Sequence, residues 1–158
     1  MKRILLAAAA VLLAASPATA QVSVGSFTFA EQKDPITDAN SSALWTEEAN
    51  GGFMPATLIF KCENDEVGML LKGTGFYIHE ELPVIWRFDQ QEPQQGSWRV
   101  AEVQWLIPPF ELQEALTTTA RTANRLAVRV TEGDGGVKTY IFNLNGFSRG
   151  MEMMGCGA

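Results

Sequence analysis

The chain reads as a mainly β protein: an antiparallel β-sandwich or open barrel with one or two short helices and one disulfide. Three observations carry that expectation. Short segments alternate apolar and polar residues with period two, the pattern of strands buried on one face. Clusters of turn formers separate these segments at fairly regular intervals. Only one stretch has strong helical character, too few crossovers for a parallel α/β sheet.

The first twenty residues are set apart. Lys2 and Arg3 precede an apolar run from Ile4 to Ala15, and "ATA" ends at Ala20. A positive head, a short apolar core and a small-residue site make a secretory signal peptide. The run is shorter than the roughly 20 apolar residues that span a bilayer. The expectation is a signal peptide over 1–20 and one β-rich domain over 21–158, without an integral membrane span after cleavage, in the periplasm or outside the cell.

Along the remaining chain, "DPITDANSSALWTEEANGGFMP" is rich in turn formers, with one strand around Ala43 to Thr46. In "ATLIFKC", Ala56, Leu58, Phe60 and Cys62 share a face. "ENDE" supplies turn residues, and Val67, Met69 and Leu71 return together, a β-hairpin turning at Asn64-Asp65. "PVIWRFD" sets Val84, Trp86 and Phe88 against Ile85, Arg87 and Asp89. In "SWRVAEVQW", Trp98 and Val100 have one parity and Val103 and Trp105 the other, which predicts a bulge or bend near Ala101-Glu102. "PPFELQEALTTTA" is the helix, with Pro109 in its first turn and a stripe of Leu112, Ala115 and Leu116. A second hairpin follows: Leu126, Val128 and Val130 point inward, Arg125 and Arg129 outward, "EGDGG" turns, and Tyr140, Phe142 and Leu144 share a face. A short C-terminal helix carries Phe147, Met151 and Met154.

Charge narrows the function. The 158 residues have a net charge of -6, and removing residues 1–20 makes it -8. An acidic chain with so few basic residues lacks the concentrated positive surface that nucleic acid requires. Electrostatic adhesion to anionic lipid is disfavoured for the same reason. The two cysteines, Cys62 and Cys156, pair in an oxidising compartment, with two buried thiols as the rival reading. Their wide separation excludes a CxxC redox motif.

Catalytic signatures are sparse. There is no GxSxG, and the one histidine, His79, has no partner nominated by spacing. "EGDGG" and "DPITD" lack the spacing of a calcium loop, and "GTG" lacks the helix of a phosphate loop. No metal or cofactor is expected. The adjacent acids Asp65-Glu66 and Glu80-Glu81 read first as solvated turns. One polar constellation stands out. Arg87 and Asp89 share a strand face, with Arg99 and Arg129 on strands that could lie beside it and Trp86 and Trp98 close in sequence. It reads either as a cross-strand ion-pair ladder or as an interaction patch using the Arg and Trp side chains that binding sites favour.

Taken in order, these segments resemble the VasI/TagO family of type VI secretion-associated proteins. The resemblance rests on "DPITD", then "ATLIFKCEN" with its strand ending in Cys, then "VIWRFD" and "SWRV". A short helix follows, then "LAVRVT", "TYIFNLNGF" and a late Cys. It covers nearly all of the chain after the signal. It implies an exported accessory protein, not an enzyme, whose partner is a cell-envelope or secretion-apparatus protein. The alternatives are a cell-envelope enzyme that cuts cell-wall glycan with paired carboxylates, or a small secreted or phage-borne inhibitor.

Overall fold

The computed structural model describes residues 21–33, 36–37, 40–63, 65–73, 76 and 80–156. Residues 1–20, read from the sequence as a signal peptide, lie outside the described residues, as do Asn64, His79 and much of "DPITD" and "GTG". Ten strands and two helices follow in order: β1 (Gln21–Val24), β2 (Phe27–Lys33), β3 (Asn40–Glu47), β4 (Thr57–Glu63), β5 (Glu66–Lys72), β6 (Glu81–Phe88), β7 (Gln94–Ala101), β8 (Trp105–Ile107), α1 (Phe110–Ala120), β9 (Arg125–Thr131), β10 (Val137–Asn143) and α2 (Phe147–Met154).

All strand pairs are antiparallel and form one sheet, in the order β1-β2-β3-β4-β5-β8-β7-β6-β9-β10. β1 to β5 run as a meander. The chain then jumps to β6 and fills back through β7 and β8 to reach β5, a Greek-key path. α1 carries it over to β9 on the far side of β6. The inward side chains of the strands join one apolar core, so the sheet curls around it as an open barrel.

The alternation read from the sequence sets the inner face. Leu58, Phe60, Met69, Leu71, Val84, Trp86, Val128, Val130, Tyr140 and Phe142 are all buried. The β4–β5 register places Phe60 opposite Met69, Cys62 opposite Val67 and Glu63 opposite Glu66. Three segments differ from expectation. β1 and β2 form an additional hairpin through Gly25-Ser26. Near Ala101 the chain reverses instead of bulging: Glu102 and Val103 take φ of 51° and 54°, and Ala101 pairs with Trp105. The change of parity there records a reversal of direction. On α1, Ala115 is exposed, and Leu116, Thr117 and Ala120 are the buried residues.

The two ends of the sheet meet backbone to backbone. The Ser26 N–H donates to the Asn145 carbonyl at 2.8 Å, and Ala49 N–H donates to Ile141 O at 2.7 Å. Gly25 (φ 62°) and Gly146 (φ 90°) cross there. A Cβ on Gly25 would overlap the carbonyl of Asn145, and one on Gly146 that of Val24. Glycine is therefore needed twice over, for dihedral and for space. α2 lies across β1, β2 and β3, with Phe147 stacked on Phe60 (ring centroids 4.5 Å) and Phe27 (5.5 Å). The residue just past its C-cap, Cys156, is tied to β4 by the Cys62–Cys156 disulfide (Cα–Cα 5.7 Å).

β5 and β8 part early. They pair at Leu71 with Leu106 and Lys72 with Trp105. Pro108 and Pro109, which have no N–H, end the ladder. The Gln113 carboxamide from α1 takes over: its Oε1 accepts from Met69 N–H at 3.1 Å, and its Nε2 donates to Pro108 O at 3.1 Å. An amide side chain thus stands in for the missing peptide rung.

Near the closing edge, Glu132 is 8% exposed and meets the Lys138 ammonium at 2.8 Å. The buried Tyr140 hydroxyl has no hydrogen-bond partner among the described residues. Burial first, then the carboxylates of Glu132 and Glu48, push its pKa up to about 12.

Two predictions follow from this packing. Cys62→Ser and Cys156→Ser each release the same closed loop of 94 positions. The chain-entropy model puts such a loop at about 4–5 kcal/mol, an upper value for the loss. Thermal unfolding without reductant should show similar falls in Tm for both variants; an unchanged Tm in either would contradict the staple. Tyr140 carries a pH signature. Between pH 10 and 12 the unfolded tyrosine has lost the proton that the folded one keeps. Its contribution is therefore full below pH 10 and disappears as pH passes 12, by roughly 2–3 kcal/mol. Denaturant titrations at pH 9 and 11.5 should show this loss in the wild type and not in Tyr140→Phe. Parallel curves would refute it.

Candidate functional site

The outer face of β6, β9 and β10 carries the arginines that the sequence nominated. Ile85 and Arg87 on β6 point outward, as do Arg125, Ala127 and Arg129 on β9, because Val84, Trp86, Leu126 and Val128 point inward. Arg87 stands opposite Ala127. Arg125 and Arg129 are therefore its two diagonal neighbours, about 7–8 Å away between backbones. Among the described residues none of the three makes an ion pair. The Arg129 Nε donates to Thr139 Oγ1 at 3.2 Å and the rest of that guanidinium stays exposed. Between Arg87 and Arg129 lies a shallow depression of about 260 Å³, lined also by Ile85, Ala127, Pro93 and Thr139.

Several nominated residues do different work. Trp86 (6% exposed) and Trp98 (0%) are core side chains, 5.8 Å apart between ring centroids. Alternation buries Trp86 on the same parity as Val84, so the indoles are not part of an exposed patch, although Trp86 borders the depression from below. Arg99 stands opposite Glu81, whereas Arg129 stands opposite Ile85 on the other flank of β6. That offset is about 13 Å along the strand and about 10 Å across it, which takes Arg99 out of the group. The expected opposite-charge ladder is absent among the described residues. Arg125 belongs with Arg87 and Arg129, and its parity with Arg129 was the signal for it.

Asp89 closes the β6–β9 ladder. The chain turns there with φ 45°, a conformation aspartate tolerates better than most residues. Its N–H donates to Arg125 O at 2.9 Å. In return its carboxylate accepts from Arg125 N–H at 2.9 Å and from Asn124 N–H at 3.1 Å. The carboxylate is engaged by backbone amides and does not pair with the Arg87 guanidinium.

A second concavity lies between α1 and the end of the β4–β5 hairpin. It holds about 400 Å³ and contains Met151 and Cys156, with Asp65, Glu66, Glu111 and Glu114 around it. Thr117, 7% exposed, is among its lining residues, and its buried hydroxyl has no partner among the described residues. Among those residues no cluster of three or more His, Cys, Asp or Glu could hold a metal ion. No helix among them is long and apolar enough to cross a membrane.

The Asp89 clasp makes a stability prediction. Asp89→Ala removes the acceptor of two amide bonds and should cost about 1–3 kcal/mol. Hydrogen exchange should quicken at Asn124 and Arg125, while Asp89→Asn, which keeps an acceptor oxygen, should lie between. Unchanged exchange at those amides in Asp89→Ala would argue against the clasp.

No protein-family model matches this chain, and no curated protein matches it in sequence. Among solved structures, the chain is similar to the crystal structure of invasion associated protein B from Bartonella henselae, with a TM-score of 0.65 at 14% identity. The match covers 86% of this chain and 95% of that one. At this identity the likeness is one of fold alone.

Proposed function

We propose that the protein is an exported accessory protein that binds an acidic surface of a cell-envelope or secretion-apparatus protein through the outer face of β6 and β9. One observation carries this reading: three arginines without an ion-pair partner among the described residues, Arg87, Arg125 and Arg129, are gathered on one sheet face of an acidic chain. Left alone, like charges on neighbouring strands destabilise a sheet. A partner carboxylate offsets that cost, and the planar guanidinium fork suits a carboxylate well. Ile85, 40% exposed beside Arg87 and Arg129, adds apolar contact.

The signal-like segment supports export to the periplasm or beyond. The resemblance of the order of segments to the VasI/TagO family favours a role beside a type VI secretion apparatus. The shared fold with a protein named for invasion favours an accessory role related to secretion or virulence. The arginine face is the part of this reading that can be tested directly.

Envelope extracts should be passed over immobilised wild type and over an Arg87→Glu/Arg129→Glu variant of equal Tm. The wild type should retain an envelope or secretion protein that elutes as salt rises from 50 to 500 mM. The variant should retain at least about tenfold less. Recovery of no such protein, or equal recovery on both columns, would defeat the proposal.

A further inference from the structure

We infer that the groove between α1 and the free edge of β5 is a second binding site, one that takes an extended, lysine- or arginine-bearing segment of a partner polypeptide. It involves other elements than the arginine face and has the opposite charge.

The first observation is an unpaired strand edge. β4 pairs with β5 along its whole length, but β8 reaches only Leu71 and Lys72 on the other side. The Met69 N–H points away from β4, because it donates to Gln113. In a strand, amides two residues apart point the same way. The Val67 N–H and carbonyl therefore face the groove, beyond the end of β8, with no strand opposite. Such an edge accepts an added strand through main-chain hydrogen bonds.

The second observation lies on the facing wall. Thr117 is 7% exposed, and its Oγ1 has no partner among the described residues. A buried hydroxyl without a partner is costly. A peptide amide or carbonyl lying between α1 and β5 satisfies it.

Charge selects the occupant. Asp65, Glu66, Glu111 and Glu114 are exposed around the groove, and none makes an ion pair among the described residues. Arg121 is the one cation lining it. Beneath them lie the buried Met151 and Cys156, and Phe110 stands at one end 74% exposed. A segment that alternates basic and apolar side chains meets both features, its cations toward the carboxylates and its apolar groups toward Met151 and Phe110.

The test uses the whole folded chain after residue 20, labelled with ¹⁵N, and two pentapeptides: acetyl-Val-Lys-Val-Lys-Val-amide and its glutamate counterpart. The lysine peptide should shift the amides of Val67, Met69 and Thr117 saturably. The glutamate peptide should bind at least about tenfold more weakly. Glu111→Gln/Glu114→Gln should weaken the lysine peptide about fivefold or more, and weaken it less in 500 mM salt. Thr117→Val should weaken it while leaving Tm unchanged or higher. Equal shifts from both peptides, shifts confined to the Arg87 and Arg129 face, or no shift at millimolar peptide would each overturn the proposal. The Arg87→Glu/Arg129→Glu variant should bind the lysine peptide like wild type, so the two surfaces stand or fall separately.

Discussion

One contact governs this architecture: the crossing of two backbones at Gly25 and Gly146. A ten-stranded open sheet has two edges, and an apolar inner face must be hidden along its whole width. The sheet curls until the β1–β2 turn rests on the segment between β10 and α2, at a separation no side chain permits. With the ends in contact, the short helix α2 can cover the inner ends of β1, β2 and β3. Phe27, Phe60 and Phe147 then become neighbours although they lie in different thirds of the chain. The disulfide holds this cover in place. The core depends on closure, and closure depends on two residues without side chains.

Much of this was legible in the sequence, because period-two alternation is a direct imprint of one-sided burial. The β4–β5 and β9–β10 hairpins, the burial of Phe147, Met151 and Met154, and the cysteine pair could all be read before any coordinates. The β7–β8 reversal was not, since two parities on one segment fit a bulge as well as a turn. Only the left-handed dihedrals at Glu102 and Val103 separate the two. The Trp86 and Trp98 positions show a similar limit. Residue type suggested a binding surface, but parity had already assigned Trp86 to the inner face with Val84. Gln113 was invisible, because a glutamine on a helix gives no sign that it completes a sheet.

The surface divides its charge in an orderly way. On β6 and β9 the outward positions gather arginines, while α1 and the β4–β5 turn gather carboxylates around a groove. The two groups occupy different parts of the scaffold: the arginines a fully paired stretch of sheet, the acids the place where the ladder between β5 and β8 gives out. Neither is needed to hold the fold, whose internal pairing is carried by Asp89, Gln113 and the Glu132–Lys138 contact. Side chains that stability does not use are the ones available for recognition, and here they come in two opposite sets.

The meeting of Ser26 with Asn145 also has a kinetic meaning. The two residues are about 120 positions apart, and the loop between them must be closed before the contact returns any free energy. Folds dominated by such distant pairings form slowly. Local hairpins can appear early, but the barrel cannot shut until α2 has emerged from the ribosome. For most of its synthesis the chain is therefore a row of unsealed hairpins, the loosely held state in which a polypeptide can still be threaded or seized by a chaperone.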